Sequence, residues 1–163
     1  SDAPVTIIEY SSLGCPHCAA FHRDTLPQLK REYIDTGKAK LIYRDFPLGT
    51  PALAASMIAR CAGREKYFGF IDILFRSQSQ WSRSKNPLAA LTRIARFGGM
   101  SEADVQACLR AQAILDGIRQ GAALAQQNHN VKSTPTFLIE GQVISGSMPY
   151  EHFKKAIEKA LKK

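Results

Sequence analysis

The sequence predicts an α/β fold in which a small sheet, built from both ends of the chain, is interrupted by an inserted all-helical domain. Three observations predict it. A strand–helix–strand pattern fills the first 48 residues, a strand hairpin followed by an amphipathic helix closes the chain, and the stretch between carries helical periodicity without alternation. Neither end makes a stable core alone, so the two share one sheet. The expected domains are a discontinuous α/β domain over 1–48 and 130–163 and a helical insertion over 49–129.

The first strand, about Thr6 to Ser11, is apolar on both faces, as in a strand covered by helices on each side. A helix follows at Cys15, with Pro16 at its first position, where the missing N–H is no loss. Phe21, Thr25, Leu29 and Tyr33 continue it at helical spacing, and Pro27 predicts a kink or restart near Thr25. Gly37 suits a C-cap. Leu41-Ile42-Tyr43 reads as a second strand, parallel to the first across the helical crossover.

From Pro51 to Asn128 the residues are mainly Ala, Leu, Arg and Gln. Helices are expected over Pro51–Ala62, Glu65–Phe75, Pro87–Phe97, Ser101–Leu109 and Ile114–Gln127. Ser101 is a good N-cap, with Glu102 in the first turn. Strand character returns at Thr136–Ile139, turns at Glu140-Gly141 and runs back over Gln142–Ser145. A last helix, Tyr150–Leu161, places Phe153, Ile157 and Leu161 on one side.

With 163 residues, 45% of them apolar, the chain can bury a real core, which rules out disorder as the default. No apolar run approaches the roughly 18 residues of a membrane-spanning helix, so a soluble protein is expected. The opening Ser1-Asp2-Ala3-Pro4 fits a processed mature form. The formal charge of +8 reads as a solvated basic surface, the competing reading being an anionic partner, either nucleic acid or an anionic membrane surface. No interleaving of aromatic and basic residues suggests nucleic-acid binding.

Chemistry concentrates at Cys15-Pro16-His17-Cys18. Two thiols one helical turn apart can close a small disulfide ring, and the first faces the unpaired N–H groups of the helix start, where an anion is favoured. The thiolate is the species that performs disulfide exchange. Cys15 is expected at the surface and Cys18 toward the core, with His17 adding a donor or cation beside Cys15. A zinc knuckle needs a second ligand pair at matching spacing, which the sequence lacks, so no metal site is expected. Four cysteines allow three pairings; after 15–18, Cys61 and Cys108 remain, neither close to another Cys or to a His at metal-site spacing.

Glu9 lies in the apolar first strand, six residues before Cys15. A buried carboxylate there could relay the proton of Cys18; the competing reading is a strand-end carboxylate that reaches solvent and pairs with a Lys. Thr134-Pro135 immediately precedes the hairpin. A cis bond at that place would free the Thr134 main chain to pair with an extended peptide beside Cys15. His22, one turn past Cys18, either lines the groove or sits on an exposed helix position. His129 and His152 have no partners at useful spacing. The scattered Met57, Met100 and Met148 argue against a copper-binding methionine patch. Trp81 is expected to pack within the insertion.

Cys15-Pro16-His17-Cys18, with Glu9 ahead and Thr134-Pro135-Thr136-Phe137 far downstream, resembles the DsbA family of thiol oxidases. Leu26-Pro27-Gln28-Leu29, the run Tyr33 to Lys38 and the run Arg44 to Leu48 are similar to the branch with Gram-positive and α-proteobacterial members. The resemblance covers the whole chain and implies a thioredoxin-like fold with a helical insertion. It also implies that Cys15 is the nucleophile, Cys18 its resolving partner, Glu9 a buried acid and Pro135 a cis-proline facing the pair. Thr134 stands where the best-known members carry Val, and Thr there is associated with isomerases. Some α-proteobacterial-type members hold an extra structural disulfide in the helical block, which implies a Cys61–Cys108 bond; two buried free thiols are the alternative.

The expected function is periplasmic dithiol oxidation: an oxidoreductase that donates its Cys15–Cys18 disulfide, without a cofactor, to unfolded or partly folded secreted proteins with free cysteines. A shallow apolar groove should receive these clients. Reoxidation by a DsbB-like membrane quinone reductase is implied by the resemblance, and a monomer is expected. The rivals are an isomerase or reductase using the same residues, and a copper-handling module using the two thiols as soft ligands.

Overall fold

The structure, a computed structural model, describes residues 2–163. Four strands form one sheet in the order β2-β1-β3-β4. Strand β1 (Val5–Ser11) pairs in parallel with β2 (Ala39–Asp45) and antiparallel with β3 (Thr136–Ile139), which pairs antiparallel with β4 (Gln142–Ser145). The two ends of the chain therefore do share a sheet, with β1 at its centre. Strand β2 is longer than its apolar triplet suggested, because pairing extends along the whole of β1 from Val5↔Ala39 to Ser11↔Asp45.

The crossover helix begins as α1 (Pro16–Ala20) and widens into a π-helical turn over Phe21–Thr25. It resumes as α2 (Leu26–Leu29) and ends in a second π-helical turn, Lys30–Ile34. The restart falls beside Pro27, as its missing N–H and its ring demand. Gly37, at φ +77°, lets Lys38 N–H reach the Tyr33 carbonyl and closes the helix. Glu140 and Gly141, both at positive φ, make the tight turn between β3 and β4.

Helices α3 (Thr50–Cys61), α4 (Tyr67–Arg76), α5 (Gln78–Ser82), α6 (Pro87–Phe97), α7 (Glu102–Leu109) and α8 (Gln112–His129) follow, and α9 (Tyr150–Leu161) ends the fold. Ser101 caps α7 in a reciprocal capping box with Asp104. Trp81 is fully buried among Leu74, Leu91 and Ile58, and its indole N–H donates to the Leu74 carbonyl at 2.9 Å. The short helix that carries it has no periodicity of its own and was not expected.

One sheet face packs Val5, Ile7, Phe137 and Ile139 against Phe21, Leu29, Phe153 and Ile157. On the other face Tyr10 and Phe46 meet Ala125 and Val131. Helix α8 serves two cores: Ile118 packs with Met57 and Cys108, whereas Ala125, two turns later, lies against the sheet. The Arg60 guanidinium of α3 donates to the Asp45 carboxylate at the end of β2 (2.8 Å), pinning the helical block to the sheet. That block also reaches the site directly, since Cys18 belongs to its core cluster with Leu13, Leu74 and Trp81.

Candidate active site

Strand β1 ends at Ser11, and a short loop delivers the chain to the start of α1. Cys15 is the N-cap residue, extended at φ −85° and ψ 121°, and Pro16 occupies the first turn. This places the Cys15 sulfur over the free N–H groups of the helix start. The loop is held from both sides. Cys15 N–H donates to the Ser12 carbonyl (3.0 Å), while the Gln78 amide of the helical block donates to the carbonyls of Leu13 (2.7 Å) and Cys15 (3.0 Å). Nothing in the sequence around Gln78 signals this role, because it depends on where α5 lands.

The two thiols are in the reduced state and differ sharply. Cys15 is partly accessible; Cys18 is fully buried, with Ser12 N–H 3.5 Å from its sulfur. A hydrogen bond from the Cys18 thiol favours the Cys15 thiolate most. Partial burial opposes it, while Thr134 and the main-chain N–H groups of Cys18 and His17 add support, leaving the Cys15 thiol lowered to about 5. Burial first, then the neighbouring Cys15, push the Cys18 thiol far above the ordinary thiol range. At neutral pH Cys15 is then roughly 100:1 thiolate and Cys18 a thiol. The contribution of His17 to Cys15 comes through its main chain, and its side chain is exposed.

The Thr134–Pro135 peptide bond is cis. It brings the Thr134 carbonyl to the other side of the site, 3.5 Å from the Cys15 sulfur, which donates to it as a thiol. The hydroxyl of Thr134 is buried with no geometric partner of its own, and turned to Cys15 it favours the anion. Pro135 is buried, and its carbonyl accepts from Gly146 N–H at 2.8 Å, tying the loop to the end of β4.

Glu9 is fully buried at the centre of the sheet, between Tyr43 on β2 and Phe137 on β3. It does not reach solvent, and no Lys among the described residues pairs with it. Both its oxygens instead lie within hydrogen-bond distance of His22 Nε2, at 2.9 and 3.0 Å, and the tautomer of the ring sets the direction. His22 is not on an exposed helix position; its Nε2 edge turns inward to the carboxylate, while the residue also lines a surface pocket beside Ala19 and Phe75. The spacing of four from Cys18 could have indicated a shared helix face. Cys61 and Cys108 lie away from this site and are joined by a disulfide with Cα atoms 6.0 Å apart.

A protein-family model described as Thioredoxin matches residues 1–159. A relative in Rickettsia typhi, named as a protein-disulfide oxidoreductase, is 31% identical over 96% of this chain, and the chain spans 58% of that relative's length. Disulfide bond formation protein D of Bacillus subtilis is 25% identical over 99% of this chain and 74% of its own. The crystal structure of alpha-DsbA1 from Wolbachia pipientis superposes with a TM-score of 0.91 at 32% identity, covering 99% of this chain and 87% of that one.

Proposed function

Since the chain belongs to the thioredoxin family, in its DsbA branch, we propose that it is a protein thiol:disulfide oxidoreductase that donates the Cys15–Cys18 disulfide to folding secreted proteins. A client thiolate attacks the Cys15 sulfur. The bond between the two cysteines breaks, and Cys18 leaves with the electron pair and takes up a proton. The client's second thiolate then attacks its own sulfur in the mixed disulfide and releases Cys15 as a thiolate. The client gains a disulfide, and the protein is left as a dithiol.

The observation that carries this reading is the asymmetry of the two thiols, with Cys15 lowered to about 5 and Cys18 raised by burial. Each tenfold of thiolate stabilisation moves a two-electron couple by about 30 mV, here toward oxidising, because the reduced form is the one stabilised. Glu9 holds and returns the proton of Cys18. The main chain of Thr134, beside Cys15, offers a partner to an extended client segment. No cofactor enters the scheme. We place the protein in the periplasm, as a monomer reoxidised by a DsbB-like membrane quinone reductase. No helix among the described residues is long and apolar enough to cross a membrane.

The test is equilibration with glutathione, followed by stoichiometric oxidation of a reduced two-cysteine client protein. Rapid client oxidation and a potential well above that of thioredoxin are expected. A potential at or below thioredoxin's roughly −270 mV would overturn the donor reading. Thr134 favours isomerisation as the second reading, which efficient refolding of a fully oxidised, mispaired client would identify.

A further inference from the structure

Glu9 has no exposure at all, yet a carboxylate that handles the Cys18 proton must exchange it with water once per turnover. Its sheet neighbours, Tyr43 and Phe137, are themselves buried. His22 is different. Its Nε2 sits 2.9 and 3.0 Å from the two Glu9 oxygens, while its side chain retains 9% exposure. The ring lines a surface pocket of about 350 Å³ between the crossover helix and α4, together with Ala19, Arg23, Asp72 and Arg76. An imidazole is the one side chain with a proton-binding nitrogen on each edge, and here one edge meets the buried carboxylate.

The ring is also held in place. Phe75 of α4 lies over it with centroids 4.4 Å apart at 31°, and Phe21 (5.5 Å, 80°) and Tyr43 (5.9 Å, 72°) meet it edge-on. Three aromatic contacts from the helix, the sheet and the insertion leave it little freedom to turn. The charged groups around it are Glu9 below, Arg23 on its own helix, and Asp72 and Arg76 on α4, the last two paired with each other at 2.9 Å. Tyr43 is the remaining titratable neighbour.

We propose that His22 is the proton port of the site, connecting Glu9 to solvent through this pocket; the inference rests on the reading of Glu9 as the acid–base partner of Cys18. When a disulfide is donated, Nδ1 takes a proton from water, the Nε2 proton passes to Glu9, and Glu9 protonates the departing Cys18 thiolate. When the protein is reoxidised, Cys18 returns its proton to Glu9, Glu9 passes it to Nε2, and the Nδ1 proton leaves. One proton enters and one leaves per cycle, and the ring regains its starting tautomer without rotating. His22 acts through Glu9 and is a positioning and relay residue.

The experiment follows the Cys15–glutathione mixed disulfide, formed from reduced protein and oxidised glutathione, as Cys18 resolves it. His22→Ala should slow resolution by at least about tenfold, within the range of general acid–base effects, while Cys15 still ionises at about 5. Added imidazole and methylimidazoles should restore the rate in order of their basicity, because each can enter the vacated pocket. His22→Gln, whose amide keeps a hydrogen bond to Glu9 but cannot take up and release a proton, should be as slow as His22→Ala. A wild-type rate in His22→Gln, or rescue that ignores the basicity of the added base, would overturn the port. Glu9→Gln separates the two ideas. If it leaves resolution unchanged, the role of Glu9 falls; if it slows resolution and the His22 variants do not, only the port falls.

Discussion

Two cysteine pairs in this molecule occupy opposite ends of helices. Cys15 is the N-cap of α1, over free N–H groups, whereas Cys61 is the last residue of α3 and Cys108 the penultimate residue of α7. A helix start favours an anion and a helix end disfavours it. The first pair is three residues apart, with one sulfur accessible and its thiolate stabilised; the second bridges 47 residues within a cluster of Met57, Ile118, Leu53 and Met100. The same element thus serves exchange at one place and cross-linking at the other, and the backbone around each sulfur decides which.

The sharpest way to break this contrast is to delete each pair. Cys15→Ser should abolish disulfide donation, whereas Cys61→Ala/Cys108→Ala should donate at close to the wild-type rate; equal losses would remove the distinction. That double variant should instead lose stability. Opening a loop of this length releases about 4 kcal/mol by chain entropy, and native cross-links typically contribute roughly 2–4, so thermal melting should fall by roughly 5–15 °C. An unchanged melting temperature would show that the helical block needs no staple.

A smaller effect concerns pH. Cys15 ionises at about 5 in the folded reduced protein and in the ordinary thiol range, near 8.5, when unfolded. Its stabilisation of the reduced fold is complete above the unfolded value and is lost as pH falls through 5. The oxidised protein has no such group. The difference in melting temperature between reduced and oxidised forms should therefore shift toward the reduced form as pH rises from 5 to 8. A difference flat over that window would contradict the stabilised thiolate. The smallest change should come from Gln78→Ala, which removes the two hydrogen bonds to the Leu13 and Cys15 carbonyls. About 1 kcal/mol of stability should go with them, along with a modest slowing of exchange.

The elements legible in the sequence were those written locally. The hairpin Thr136–Ile139 and Gln142–Ser145, the final helix Tyr150–Leu161 and the break near Pro27 follow from alternation, turn residues and a missing N–H. The tandem thiols at a helix start were equally plain. What was not legible depends on distant parts of the chain meeting. The inward turn of His22 needs Phe75 of α4 above it and Glu9 of β1 below, and the hold of Gln78 on the Cys15 loop needs α5 to dock there. Spacing is silent on disulfide connectivity, so Cys61–Cys108 came only from family likeness. The double duty of α8 was hidden because Ile118 and Ala125 satisfy one helical period while facing different cores.

The most direct measurement is a pH titration of the reduced protein, following thiolate absorbance in the wild type and in Cys18→Ser. One thiolate appearing with a midpoint near 5, and no second ionisation below pH 9, is the result expected of a partly accessible sulfur at a helix start above a buried partner. Two thiols ionising together near 8.5, as in an unfolded chain, would contradict it.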